Sequence, residues 1–382
     1  MCETDSSMKC PYCQSTNTFV YYKTKQPSIL SACPAGQLSS VKNYPFEATL
    51  CCDCGLGFNS SQLSQTELHE IYDNYLYVSP LNNIGHTAFT GIKDTVKEYC
   101  NKNDKIVEIG CSEGFLLNEL RASGYTNLMG IEPGPQAERA KHLGFNVIKG
   151  YFGEKDLNLG PVDTFLLVHV YEHFQDPFII LQVMKSMLSD KGRIIIEVPD
   201  FGGYHHQHLF FFNLAFMKRL CDDIGLKPIS IQIDRGVSRF VIVHKNNNCY
   251  GTPQINTDIS HEIERAKKIH SEMQQKINSV ISLFKTCVGK KIYWWGAGSL
   301  SVILLNQIEG SLVEDYDLCI IDGDPAKAGF FIPGINLPVS PVSMIAGQMI
   351  EKLIIASSYS DEIMETIKDK NITVKDLLVI NS

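Results

Sequence analysis

The sequence has no apolar run approaching the roughly 20 residues that a membrane-spanning helix needs, so no membrane partner is expected. Its first residues, Met-Cys-Glu-Thr-Asp-Ser-Ser, lack the basic flank and apolar core of a secretion signal, which points to a cytoplasmic location. Positive charge is scarce. Thirty-four lysines and arginines face 42 acidic residues, and the net charge of −8 argues against nucleic acid or an anionic membrane surface as partner. Cysteine is plentiful, with 13 in all. Without a secretion signal a disulfide framework is not expected, and metal ligation is the better first reading. A chain of 382 residues should hold two or three domains, and the apolar content suffices for real cores.

The first cysteines form two knuckles, Cys10-Pro-Tyr-Cys13 and Cys51-Cys-Asp-Cys54, with 37 residues between them. Each knuckle can present two thiolates to one tetrahedral ion, and four thiolates select a closed, structural Zn²⁺. The competing reading is chance clustering of reduced thiols. A tyrosine-rich stretch around Tyr77 follows, read either as packing or as one phenol lining a site.

From Asp104 the pattern alternates strand and helix, which implies a parallel sheet covered on both faces. Ile106 to Ile109 is a β-branched run that reads as a buried strand, and Phe115 to Leu120 begins a helix. Between them lies a turn spaced E-x-G-x-x-x-G (Glu108, Gly110, Gly114), which is not the dinucleotide spacing G-x-G-x-x-G. Glycines there permit a tight turn and close approach of a ligand to the main chain, and a helix N-terminus supplies free N–H groups. Glu132 ends the next strand, 22 residues after Gly110, where a doubly wound fold places a carboxylate for ribose hydroxyls. Further strands are expected at 145–148, 162–168 and 194–198, with a turn at Lys191-Gly-Arg193, and two closing antiparallel strands at 229–233 and 239–244.

The segment His205-His206-Gln207-His208 follows the fifth strand, at the sheet edge where open α/β folds put their chemistry. Three readings stand together: hydrogen-bonded packing, a divalent metal site, or a general base, since imidazole titrates near neutral pH. After a polar linker, residues 259–287 carry an apolar stripe at helical spacing. Trp295-Gly-Ala-Gly-Ser-Leu-Ser301 is then a second strand–glycine loop–helix, read as a phosphate cradle or as close helix packing.

The run E-I-G-C-S-E-G, G-I-E-P, H-V-Y-E-H-F-Q-D-P and G-R-I-I-I-E-V-P resembles a class I S-adenosylmethionine-dependent methyltransferase. The whole chain, from Cys10 to about Thr373, resembles the three-domain sugar C-methyltransferases that act on nucleotide-linked keto-deoxysugars. The resemblance implies an α/β architecture: a class I methyltransferase Rossmann-like domain at 76–245, flanked by a small zinc-binding domain at 1–75 and a smaller Rossmann-like domain at 246–382. It implies S-adenosylmethionine along Glu108 and Gly110–Gly114, its ribose on Glu132, its adenine near Tyr151 and Phe152, and its methionine end beside His169. Structural zinc would sit on Cys10, Cys13, Cys51 and Cys54. His208 matches the family's base, the last histidine of Y-H-E-H. The family tyrosine and glutamate are replaced by His205 and Gln207, and Tyr77 and His173 match residues near the substrate. In the C-terminal unit, D-G-D-P-A-K-A-G and the glycine loop imply that Gly296, Gly298, Ser299 and Lys327 hold a nucleotide-linked sugar, although Leu300 stands where the family has a lysine. The alternatives are an O- or N-methyltransferase on a related metabolite and a non-catalytic, zinc-anchored binding protein. Oligomeric state is left open.

Overall fold

A computed structural model of the chain describes residues 8–61, 63–73, 89–153, 157–201, 203, 205–234, 236–251, 253–287, 289–308, 316–357 and 359–380. Tyr77 lies outside the described residues. The first unit is an antiparallel meander of β1 (Thr18–Pro27), β2 (Asn43–Cys51) and β3 (Gly57–Asn59). Tyr21, Tyr22, Phe46 and Leu50 form its core. The helix α1 (Gln65–Asp73) follows it, and α2 (Thr90–Tyr99) leads into the central domain.

The central sheet begins with β4 (Ile106–Ile109), buried at all four positions. Burying an aliphatic side chain of this kind stabilises the fold by about 1.5–3 kcal/mol each, which is why so short a segment holds as a strand. Next come α3 (Phe115–Ala122), β5 (Leu128–Glu132), α4 (Ala137–His142), β6 (Asn146–Lys149) and β7 (Val162–Val168). Helix α5 (Pro177–Met187) starts on a proline, whose missing N–H costs nothing there, and Asp176 caps it by accepting from the Ile179 amide at 2.9 Å. It feeds β8 (Leu188–Pro199). The turn expected at Lys191–Arg193 is not made: these residues lie inside β8. A Cβ on Gly192 would lie 2.9 Å from the Val162 carbonyl and 2.8 Å from Leu188 Cγ, so the glycine serves a close approach within the sheet.

After β8 the chain passes through the histidines to β9 (Phe210–Phe211), which leaves the central sheet and pairs with β3 of the first unit. Helix α6 (Leu214–Ile224), β10 (Leu226–Asp234) and β11 (Val237–His244) complete the domain. The seven strands run in the order β10-β11-β8-β7-β4-β5-β6. Five are parallel, and β11 is antiparallel to both β8 and β10. The chain leaves β4 for β5 on one side and returns to β7 on the other, so the switch point of the doubly wound sheet opens at the carboxyl ends of β4 and β7.

Helix α7 (Ile259–Lys285) bridges the flanking units. Its first half packs Ala266 with Tyr21 and Tyr22, and its second half packs Ile277, Val280 and Phe284 into the C-terminal core. That last unit holds β12 (Lys291–Trp295), α8 (Ser299–Gln307), β13 (Asp317–Asp322), β14 (Val339–Pro341), β15 (Met349–Ala356), α9 (Ser360–Asp369) and β16 (Thr373–Ile380). Its strands form an all-parallel sheet ordered β14-β13-β12-β15-β16.

Candidate active site

The turn after β4 is shaped for a ligand. Gly110 has φ +75°, and a Cβ there would lie 2.4 Å from Val170 Cγ2. Gly114 (φ +77°) caps α3 in the left-handed region, with Ala140 Cβ 3.0 Å from where its own Cβ would stand. Only glycine fits either position. Glu132 folds its carboxylate back onto the turn, accepting from the Ser112 amide at 2.9 Å and the Gly134 amide at 2.7 Å. Two polar atoms here are buried without a hydrogen-bond partner among the described residues, Glu108 Oε2 and Ser112 Oγ. Burial, helped by the nearby Glu132 charge, pushes the Glu108 carboxyl up to about 8. A buried polar group of this kind costs stability unless something completes it. A cofactor bearing amino and hydroxyl groups, as S-adenosylmethionine does, fits those two atoms. Tyr151 stands 63% exposed beyond the turn, whereas Phe152 is buried edge-on to Phe165, their ring centres 5.6 Å apart.

His169 leaves the end of β7 at φ +53°. Its Nδ1 lies 3.7 Å from Glu172 Oε1 and its Nε2 3.6 Å from Glu197 Oε1. Burial lowers its pKa, but the Glu172 and Glu197 carboxylates outweigh that and the group is raised overall. Glu197 is itself held by Arg239, with Nε at 2.7 Å.

The three histidines after β8 separate into distinct roles. His206 is structural: its Nε2 meets the Pro27 carbonyl at 2.6 Å and its amide donates to Gln26 Oε1 at 2.9 Å, both on β1. Burial drops it to about 4. His205 and His208 face each other with ring centres 3.7 Å apart, and His173 joins them 4.8 Å from His208. The His173 Nδ1 is fixed by the Gln207 carbonyl at 2.8 Å. Burial, then the neighbouring imidazoles, hold His208 well below the usual histidine range. The same forces lower His205. Both rings are therefore neutral near pH 7 and each keeps a free lone pair.

Glu172 and Glu197, which carry no role in the motif reading, also line this bowl. Glu172 lies beside His173 within the H-V-Y-E-H motif, whereas its approach to His208 and that of Glu197 to His169 come from the parallel pairing of β7 with β8.

In the C-terminal unit Gly296 has φ +124°, and a Cβ there would meet the Ala356 carbonyl at 2.3 Å. The Cβ position of Gly298 is open, and Ser299 begins α8. Lys327 is paired with Asp322 at 3.2 Å, and Asp322 also accepts from the Ala297 amide at 2.8 Å. The loop rests on the first unit, where the Ala32 amide donates to the Ala297 carbonyl at 3.0 Å.

The Sγ atoms of Cys10, Cys13, Cys51 and Cys54 lie within 4.8 Å of one another, with Cys10–Cys54 at 3.6 Å and Cys13–Cys51 at 3.5 Å. A tetrahedron of about 2.3 Å Zn–S bonds has edges of about 3.8 Å, so the cluster fits such an ion with little adjustment.

Residues 84–231 match a family described as a methyltransferase domain, and residues 259–375 match one described as a C-methyltransferase C-terminal domain. No curated protein matches the chain. Among solved structures, it is similar to a SAM-dependent methyltransferase from Aquifex aeolicus (13% identity, 47% of this chain and 98% of that one, TM-score 0.36). It is also similar to magnesium protoporphyrin IX methyltransferase from Synechocystis PCC 6803 with bound SAH (12% identity, 47% and 94%, TM-score 0.36). A third is the putative methyltransferase solved with its methyltransferase activator from Haloferax volcanii (15% identity, 42% and 92%, TM-score 0.38). With two family matches in order along one chain, the protein is an S-adenosylmethionine-dependent methyltransferase carrying a C-methyltransferase C-terminal domain.

Proposed function

We propose that the protein methylates a carbon next to the ketone of a nucleotide-linked keto-deoxysugar. The observation that carries this reading is His208: a neutral, 7% exposed imidazole with two further imidazoles around it, at the carboxyl edge of the sheet that also carries the Gly110–Gly114 turn. His208 takes the acidic proton from the carbon beside the ketone, and the electron pair moves to the carbonyl oxygen as an enolate. Tyr77, His173 and His205 hydrogen-bond the sugar or the enolate oxygen, His173 by accepting from a sugar hydroxyl, since its Nδ1–H is given to the Gln207 carbonyl. S-adenosylmethionine, when bound along Glu108, Gly110, Gly114 and Glu132 with His169 at its methionine end and Tyr151 and Phe152 toward its adenine, supplies the methyl group. The protein's own contribution is positioning, proton removal and exclusion of water.

Gly296, Gly298, Ser299 and Lys327 hold the nucleotide diphosphate in this reading, and a zinc ion on the four cysteines locks the first unit. The test is His208→Ala. Methyl transfer and solvent-deuterium exchange at the substrate carbon are both expected to vanish while S-adenosylmethionine binding by calorimetry persists. Retained turnover in that variant contradicts the base assignment. Methyl found on oxygen or nitrogen contradicts the carbon-transfer reading.

A further inference from the structure

Glu172 is the most deeply buried charged group of the site, 1% exposed, in the 3-10 turn Tyr171–His173 that follows β7. Neither carboxylate oxygen has a hydrogen-bond partner among the described residues. Leaving an ionised carboxylate in that state is costly unless an opposite charge arrives. Two imidazoles are within reach of the same oxygen: His169 Nδ1 at 3.7 Å and His208 Nε2 at 3.8 Å. The other carboxylate of the bowl, Glu197, is already engaged by Arg239.

We propose that Glu172 is the positioning residue for the base: it faces His208 Nε2 and stabilises the imidazolium formed when His208 takes the substrate's proton. This rests on the function proposed above, with His208 as base. The other ring nitrogen, Nδ1, is buried against Gly203, 2.8 Å from where a Cβ on that glycine would stand. In the step, the substrate C–H bond breaks, its proton goes to the His208 imidazole, and its electron pair goes to the enolate oxygen. The proton later leaves His208 to solvent. A 3.8 Å separation is too long for a hydrogen bond in the resting site. It closes to contact only when the ring is charged, so the interaction is stronger in the transition state than in the ground state, the condition for lowering a barrier.

The groups facing His208 are few. From the loop after β8 comes His205, and from the turn after β7 come His169, Glu172 and His173. From β8 comes Glu197 through His169, with Arg239 of β11 behind it. Three imidazoles oppose a proton on His208, and burial opposes it further. The Gly203 backbone favours it, and Glu172 is the carboxylate that stands 3.8 Å from its Nε2. A base so disfavoured needs such a counter-charge to accept a proton near neutral pH.

The test reads the titration without depending on turnover. The zinc-loaded full chain is labelled with ¹³C at histidine Cε1, and His208 is assigned by the signal lost in His208→Asn. The His208 titration midpoint is expected to fall by about one pH unit or more in Glu172→Gln, the shift a carboxylate at this range exerts. An unchanged midpoint in a folded Glu172→Gln protein overturns the proposal. So does a second equivalent of metal, beyond the four-cysteine ion, that is present in the wild type and lost in the variant, because Glu172 would then be a metal ligand. If Glu172→Gln does not fold, Glu172→Asp serves. That variant keeps the charge but draws it back by one methylene, so a smaller drop in the midpoint is expected and no drop overturns the proposal. Because the readout needs no substrate, it can fail or succeed independently of carbon methylation, which is tested by exchange and product analysis.

Discussion

At the residue scale the glycine turn was legible and the surroundings of His208 were not. Gly110, Gly114 and Glu132 stand out because their task depends on spacing along the chain, and the structure gives each a reason. Gly110→Ala would place a methyl 2.4 Å from Val170 at φ +75°. We expect that variant to lose roughly 1–3 kcal/mol in denaturant unfolding and to bind S-adenosylmethionine at least tenfold more weakly in calorimetry. Wild-type affinity would show that the turn does not meet the cofactor. Glu108 gives a pH dependence. Its folded pKa, about 8, lies above the ordinary 4.5 because of burial and then Glu132. Between those values the folded chain keeps a proton that the unfolded chain has lost, so the stabilising contribution is full below about 4.5 and is lost as pH rises through about 8. The melting temperature of the cofactor-free protein is therefore expected to decline from pH 5 to 8, and Glu108→Gln to flatten the decline. An unaltered slope in the variant means that Glu108 is ionised in the fold. Glu172 and His208, by contrast, are 36 positions apart in sequence and meet only because β7 and β8 lie side by side. No local pattern announces such a pair.

At the scale of elements, buried apolar runs of four residues or more gave themselves away and shorter strands did not. β4 and β7 were readable from their buried apolar runs, and β11, buried over 238–243, carries the partly exposed β10 beside it. The three residues of β3 and two of β9 have too little pattern to be recognised: β3 is held as a strand between β2 and β9, and β9 pairs with β3 across about 150 residues of chain. Lys191-Gly-Arg193 reads as a turn by composition, yet Gly192 is there because a side chain would strike the Val162 carbonyl. The β3–β9 pairing has a consequence for function. The histidine loop between β8 and β9 is anchored by β9 on the small sheet and by His206 on Pro27 of β1. Two of the four cysteines lie at the end of β2 and in the turn before β3. Stripping the cysteine site with a strong chelator, or replacing Cys54 by Ser, should release one bound zinc and unravel the small sheet. Methyl transfer should then fall more than tenfold. Amide exchange would show protection lost first in β1–β3 and in 205–211. Persistence of that protection in the metal-free chain contradicts the coupling.

At the scale of the whole molecule the division of labour follows the three sheets. The small sheet holds the histidine loop, the seven-stranded sheet presents the glycine turn and the histidine bowl along one edge, and the all-parallel sheet offers a second glycine loop tied to the first unit through Ala32 and Ala297. Helix α7 fastens the outer units together and reaches the start of the histidine loop through Arg265 and Asp200, 2.8 Å apart. Among the described residues no helix is long and apolar enough to cross a membrane. The order of the three units was legible because each begins on a distinct motif, whereas the way β9 and α7 cross between them was not, because shape alone decides it. The most direct test of the account is to incubate the full chain in deuterated water with methyl-labelled S-adenosylmethionine and a nucleoside-diphosphate-linked keto-deoxysugar, and to read the product by carbon NMR. The account predicts a new methyl on the carbon beside the ketone, one S-adenosylhomocysteine per methyl, and deuterium exchange at that carbon when the cofactor is withheld. A methyl on oxygen or nitrogen, with no exchange at carbon, would contradict it.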